Sequence, residues 1–70
     1  MKIKIKQKDF LRLMARAFLN QKTLAEKLEI TPQAVNAFLK NRNFLSIETA
    51  KKACLLFACE FEDIFEVVSE

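Results

Sequence analysis

The sequence predicts an all-α fold, a compact single domain of five short helices preceded by a short alternating segment. Glycine is absent and proline occurs once, a composition that favours helices over hairpins. From about residue 8, apolar residues recur at intervals of three and four, which is the period of a helix with one buried side. We expect residues 1–70 to form one domain, with a strand or basic arm at 1–7, a helical core at 8–65 and a tail at 66–70.

The opening segment alternates lysine and isoleucine from residue 2 to residue 6. This period of two predicts a short strand with both isoleucines on one face. A disordered basic arm is the alternative, because a strand this short needs a partner strand. We expect Ile3 and Ile5 to pair with Val67 and Val68, within one chain or between two copies. The lysines would then lie near glutamates of the tail, Glu66 and Glu70.

Helix signals divide the rest of the chain. The first helix begins near Lys8, and its apolar positions are Phe10, Leu13, Met14, Ala17 and Phe18. The second and third helices are expected at about 21–28 and 32–40. Thr31 is a typical N-cap residue, and Pro32 suits the first helical position because its missing N–H costs nothing there. Ser46 caps the fourth helix, and a fifth short helix covers about 61–65.

The charge is unevenly distributed along the chain. Residues 1–58 contain twelve basic and four acidic residues, whereas residues 59–70 contain five acidic residues and no basic one. A basic body with an acidic end favours a polyanionic partner on one surface, although solubility alone is the competing explanation. Only two cysteines are present, which argues against a disulfide framework.

Several classes of protein are disfavoured. There is no histidine, so the commonest metal ligand and general base is absent. The sequence has no glycine-rich phosphate loop and no evident carboxylate pair, and we expect no enzymatic activity, no metal and no cofactor. The longest apolar run is far shorter than the roughly 20 residues of a membrane span. With no signal-peptide pattern at the start, we expect a cytoplasmic protein.

The second and third predicted helices match the helix-turn-helix unit, because a turn of three or four residues separates them. Ala25 is a small residue where the two helices must touch. The positions that such a unit buries are apolar, and they are Leu24, Leu28, Ile30, Val35 and Phe38. The start of the third helix exposes a polar face that includes Gln33 and Asn36.

Residues 21–36, QKTLAEKLEITPQAVN, resemble the phage Cro and repressor family of small helix-turn-helix regulators. The segments SIET at 46–49 and FEDIF at 61–65 are similar to the fourth and fifth helices of that family. Family glycines are replaced by Glu29 in the turn and by Asn41 after the third helix, so both are expected at positive φ. Ala58 stands where glycine often ends the fourth helix, and we expect that helix to run further.

The resemblance implies a sequence-specific regulator of transcription that binds double-stranded DNA, with the third helix in the major groove of an operator. Gln21 and Lys22 would bind phosphate at the start of the second helix, and Gln33 and Asn36 would read bases. Pro32 would touch a thymine methyl group. The full DNA-binding set is Gln21, Lys22, Thr31, Pro32, Gln33, Asn36, Lys40, Arg42 and Asn43, of which the last three are expected mainly at phosphates.

The resemblance also implies a homodimer on a palindromic site. Its interface is expected among apolar residues of the acidic end, namely Phe61, Ile64, Phe65, Val67 and Val68. The alternative function is a protein-binding modulator or antitoxin-like regulator that acts through a partner repressor or toxin. The high apolar content favours this alternative, and Phe44 can be read either as a core residue or as part of a contact surface.

Overall fold

The computed structural model describes residues 2–69, which form five helices and a two-stranded sheet. The predicted helices are present, and the addition of the sheet makes the fold mainly rather than purely helical. In chain order the elements are β1 (Lys2–Ile5), α1 (Gln7–Arg16), α2 (Gln21–Leu28), α3 (Pro32–Leu39), α4 (Ile47–Phe57), α5 (Phe61–Ile64) and β2 (Phe65–Val68).

The sheet joins the two ends of one chain. β1 and β2 pair antiparallel, with Ile3 opposite Val67 and Ile5 opposite Phe65. The strand interpretation of the opening segment is therefore confirmed, and the pairing lies within a single chain. The predicted partner Val67 is present, but Phe65 takes the place of Val68, which lies opposite Lys2. Ile3 and Ile5 are each 2% exposed, so the segment contributes to the hydrophobic core and is not a free arm.

Charged side chains support the same pairing. Lys4 stands opposite Glu66, and the distance from its Nζ to a carboxylate oxygen of Glu66 is 3.3 Å. The predicted proximity of a lysine to Glu70 lies outside the described residues. Both partners of the observed pair are well exposed, so the pair contributes little to the free energy of folding.

The centre of the core is the ring of Phe10 in α1, which is fully buried. Its centroid lies 5.7 Å from that of Phe38 in α3, 5.5 Å from that of Phe57 in α4 and 5.9 Å from that of Phe65 in β2. The contacts to Phe38 and Phe57 are edge-to-face, a favourable arrangement of aromatic quadrupoles. One side chain thus joins four elements.

Two residues predicted at a dimer interface belong instead to this core. Ile64 and Phe65 are each 1% exposed in the single chain, so a second copy cannot cover them further. Their burial in the single chain argues against a place at an interface, because an apolar residue in a short tail can pack against its own chain as well as against a partner.

Four of the described residues, 2–69, have positive φ, a conformation that falls to other residue types here because the chain has no glycine. Glu29 and Asn41 were predicted to do so, and their φ values are 59° and 56°. Ala58 has φ 52° and ends α4 at Phe57. The expectation that α4 continues past Ala58 was therefore wrong, because alanine adopts the left-handed conformation that glycine usually supplies.

Phe18 is the fourth of these residues, and its predicted place in the first helix was wrong. Helix α1 ends at Arg16, and Phe18 has φ 57° with 94% of its surface exposed. The next residue packs against the core in its place. The N–H of Leu19 donates to the carbonyl of Met14 at 2.9 Å, and Leu19 is partly buried. Helical periodicity could not reveal that the helix ends two residues before Phe18.

Ala58→Gly is expected to stabilise the domain. A left-handed alanine costs about 1 kcal/mol relative to glycine, and each kcal/mol raises the melting temperature of a domain this size by roughly 4–8 °C. Ala15→Gly is the matched control, since Ala15 is an exposed residue within α1 and the change should cost roughly 0.5–1 kcal/mol. Thermal denaturation followed by circular dichroism would contradict the prediction if both variants melted below the original chain.

Candidate nucleic-acid interface

Helices α2 and α3 cross closely at a tight turn. Ala25 is 1% exposed, and its carbonyl accepts a hydrogen bond from the N–H of Ile30 at 3.0 Å. The small side chain of Ala25 permits this approach, as predicted. Leu24, Leu28 and Val35 are fully buried on the core side of the unit, as expected from their spacing. Ile30 is only partly buried.

The turn between α2 and α3 is tied to α4. Glu29 ends α2 in the left-handed conformation, and one of its carboxylate oxygens accepts from Nζ of Lys52 at 2.8 Å. The hydrogen bond and the charge of Lys52 lower the pKa of Glu29. The pair is exposed, so it positions the turn more than it stabilises the fold. Lys52 carries no sequence signal for this role, because its partner is 23 residues away.

The start of α2 has the features of an anion-binding helix terminus. The Asn20 side chain accepts from the N–H of Thr23 at 2.8 Å, and the Thr23 hydroxyl accepts from the N–H of Asn20 at 2.9 Å. This capping box satisfies the N–H of Thr23. The N–H groups of Gln21 and Lys22 have no acceptor within the helix, as at the start of any α-helix. They lie at the positive end of the helix dipole, where a phosphate is favoured.

A hydrogen bond joins α2 to the exposed face of α3. Nδ2 of Asn36 donates to Oε1 of Gln21 at 3.2 Å. The sequence predicted both residues for DNA binding but not their contact. It connects the residue at the start of α2 with a side chain on the outer face of α3.

Around this hydrogen bond lies an open concave surface of about 460 Å³. Among the described residues its lining includes one cation and no acid. The lining consists of Gln21, Pro32, Gln33, Asn36, Ala37 and Arg42. Five of the nine residues predicted to bind DNA are thus brought together on one surface.

The other four predicted residues lie around this surface or apart from it. The Thr31 hydroxyl accepts from the N–H of Ala34 at 3.1 Å, so Thr31 acts as the N-cap of α3. Lys22 and Lys40 are exposed next to the ends of their helices. Asn43 lines a separate small depression with Phe44, so the structure does not bring it to the Gln21 surface.

The loop after α3 is anchored by the start of the chain. The N–H of Leu45 donates to the carbonyl of Ile3 at 2.9 Å, and Nε2 of Gln7 donates to the carbonyl of Leu39 at 2.9 Å. Nζ of Lys2 lies 5.1 Å from the centre of the Phe44 ring, which is about half exposed. These contacts hold both ends of the loop that carries Arg42, and sequence reasoning missed them because they join distant segments.

A left-handed turn then directs Arg42. Asn41 has φ 56°, and the N–H of Arg42 donates to the carbonyl of Ala37 at 2.8 Å. The backbone of Arg42 is therefore fixed against the end of α3, while its side chain is exposed on the concave surface. The asparagine supplies the conformation for which glycine is otherwise used.

Two short helices that cross at a left-handed turn, the second with an exposed polar start, define a helix-turn-helix DNA-binding unit. The family model of the Cro/C1-type HTH DNA-binding domain matches residues 10–70. The chain belongs to this family, and the resemblance seen in the sequence is confirmed. It matches none of the curated proteins with which it was compared. Within residues 2–69, no helix has the length and apolar character needed to cross a membrane.

Proposed function

We propose that the chain is a sequence-specific regulator of transcription that places α3 in the major groove of a double-stranded operator. The observation that carries this proposal is the hydrogen bond between Asn36 and Gln21 at 3.2 Å. Phosphate contacts position a protein on DNA, and base contacts specify the sequence. A phosphate bound at the start of α2 would therefore fix the Asn36 amide relative to the bases.

The Asn36 amide keeps the groups that adenine requires. A side-chain amide has two N–H donors and one carbonyl acceptor, and the bond to Gln21 uses one donor. The second N–H can donate to adenine N7 while Oδ1 accepts from the adenine amino group, which is the bidentate pairing of asparagine with adenine. Gln33 is exposed beside it and offers the same groups on a longer side chain.

The remaining predicted contacts are assigned by position. Pro32 opens α3 on the concave surface, where its ring can meet a thymine methyl group. Arg42 lines the same surface, and Lys22 and Lys40 flank it, so we assign these cations to phosphates. Thr31 and Asn43 would contribute at the edges, through the backbone next to the cap and through the loop respectively.

We further propose that the chain acts in the cytoplasm as a homodimer, with its two α3 helices about 34 Å apart on a palindromic site. Of the interface residues predicted, Phe61, Val67 and Val68 retain exposed surface in the single chain. Val67 is 53% exposed, and it lines an apolar groove of about 510 Å³ together with Phe61. A second copy seated there would remove this apolar surface from water.

A protein-binding modulator or antitoxin-like regulator is the second candidate function. Exposed apolar side chains outside the α3 surface favour it, in particular Phe18 at 94% and Leu55 at 73% exposed. Such a protein would use these side chains to bind a repressor or toxin, and its helix-turn-helix would serve mainly as a scaffold.

Binding to duplex DNA is expected to weaken steeply with salt. Each phosphate neutralised by the protein releases counterions and adds about 0.9 to the slope of log Kd against log salt. We expect the Kd for a mixed-sequence duplex to rise roughly tenfold or more between about 50 and about 200 mM salt. Fluorescence anisotropy with a labelled duplex measures this. Absence of binding, or binding independent of salt, would contradict the proposal and favour the protein-binding alternative.

A further inference from the structure

The two cysteines of the chain meet at the corner between α4 and α5. Cys54 lies in the last turn of α4, and Cys59 directly follows the left-handed Ala58. The N–H of Cys59 donates to the carbonyl of Cys54 at 3.1 Å. Residues so placed around a left-handed helix end commonly have side chains in contact. Here each thiol lies close enough to the other to affect its pKa.

The backbone hydrogen bond at this corner sets a separation that is compatible with a disulfide. A backbone N–H···O=C hydrogen bond between two residues holds their Cα atoms roughly 5–7 Å apart. Disulfides in proteins span Cα distances of roughly 4.4–6.8 Å. Joining Cys54 and Cys59 therefore requires rotation of side chains and little movement of the backbone.

Both thiols are accessible to small molecules in the single chain, before any second copy covers the groove. Each cysteine is half-buried and free, and both line the apolar groove of about 510 Å³ between α4, α5 and the sheet. Neither lines the concave surface of α3. A reagent can thus reach the pair without touching the candidate DNA-binding residues.

We propose that Cys54 and Cys59 form a modification site, a dithiol that a low-molecular-weight disulfide converts into an intramolecular disulfide. One cysteine thiolate attacks a sulfur of the reagent, whose S–S bond breaks, and half of the reagent leaves as a thiol after taking up a proton. The second cysteine attacks the protein-bound sulfur and expels the other half as a second thiol. The two protein thiols are oxidised and the reagent is reduced, so no further oxidant is required.

The surroundings of the pair control how fast it reacts. Burial raises the pKa of both thiols, and the carboxylates of Glu60 and Asp63 raise it further. Because the thiolate is the nucleophile, exchange is slower at neutral pH than for a free cysteine. The product ties the end of α4 to the start of α5 and stiffens one wall of the groove.

Mass spectrometry of the full chain after incubation with oxidised glutathione tests the proposal. The original chain is expected to lose two hydrogens and to retain no glutathione. Cys54→Ser and Cys59→Ser are matched controls, and each should retain one glutathione on its remaining cysteine. The oxidised chain should melt roughly 5 °C or more above the reduced chain.

Three results would overturn the proposal. The first is a stable glutathione adduct on the original chain, which would show that the second cysteine cannot reach the first. The second is a disulfide-linked dimer in place of the intramolecular product. The third is failure of the original chain and both variants to react, which would show that the thiols are not accessible.

Discussion

Phe10→Ala is expected to cost about 3–5 kcal/mol of folding free energy, the usual range for removing a buried phenylalanine. The Phe10 ring is fully buried and contacts rings from α3, α4 and β2, so the cavity would open between four elements. A domain of this size has a stability of roughly 4–10 kcal/mol. The variant should therefore be largely unfolded or close to unfolding at physiological temperature.

Urea denaturation followed by circular dichroism measures this loss. Leu11→Ala is the matched control, because Leu11 is the next residue of α1 and is 45% exposed. We expect this variant to change the stability by no more than about 1 kcal/mol. A similar loss in both variants would show that the centre of the core is not at Phe10.

The second large effect is expected in DNA recognition. Asn36→Ala should remove about 1–3 kcal/mol of discrimination between bases and should also leave Gln21 without its partner on α3. Lys22→Ala should weaken binding to all sequences alike and lower the salt slope by about 0.9, since one phosphate contact is lost. The two variants therefore separate base reading from phosphate binding.

Competition between specific and mixed-sequence duplexes, titrated at several salt concentrations, measures both quantities. Lys27→Ala is the matched control for Lys22→Ala. Lys27 is an exposed lysine in the last turn of α2, and it lines neither the surface at α3 nor the apolar groove. We expect Lys27→Ala to retain the full salt slope. An equal loss of slope in both variants would mean that the cations act only through net charge.

Local signals in the sequence were sufficient for most of the helices. Thr31 and Pro32 predicted the start of α3, and Ser46 predicted the start of α4, because caps depend on residues close in sequence. The structure has both caps at those positions. The left-handed conformations of Glu29 and Asn41 were predictable for the same reason, since Glu29 directly follows α2 and Asn41 lies two residues after the end of α3.

Tertiary choices were not predictable in the same way. Ile64 and Phe65 are apolar, but the spacing of apolar residues does not indicate whether they pack against their own chain or against another chain. Phe18 matched the helical spacing of α1, yet the helix ends before it. The anchoring of the loop after α3 depends on Ile3, which is 42 residues from Leu45 in sequence, and such long-range pairs have no local signal.

The candidate site was predicted as a set of residues but not as an arrangement. Gln21, Gln33 and Asn36 followed from the resemblance, and the structure places them on one surface. The hydrogen bond between Asn36 and Gln21 could not be inferred, because it depends on the crossing of α2 and α3. The contribution of Lys52 to the turn depends likewise on the packing of α4.

The central claim is that the exposed face of α3 reads DNA sequence. Selection from random-sequence duplexes tests this claim most directly. The original chain and Asn36→Ala would be compared at the same salt concentration, with binding enriched over several rounds. We expect the original chain to enrich a defined palindromic site that contains adenine in each half, and Asn36→Ala to lose the preference at that adenine. Enrichment of no sequence by the original chain, or of the same sequence by both proteins, would contradict the claim.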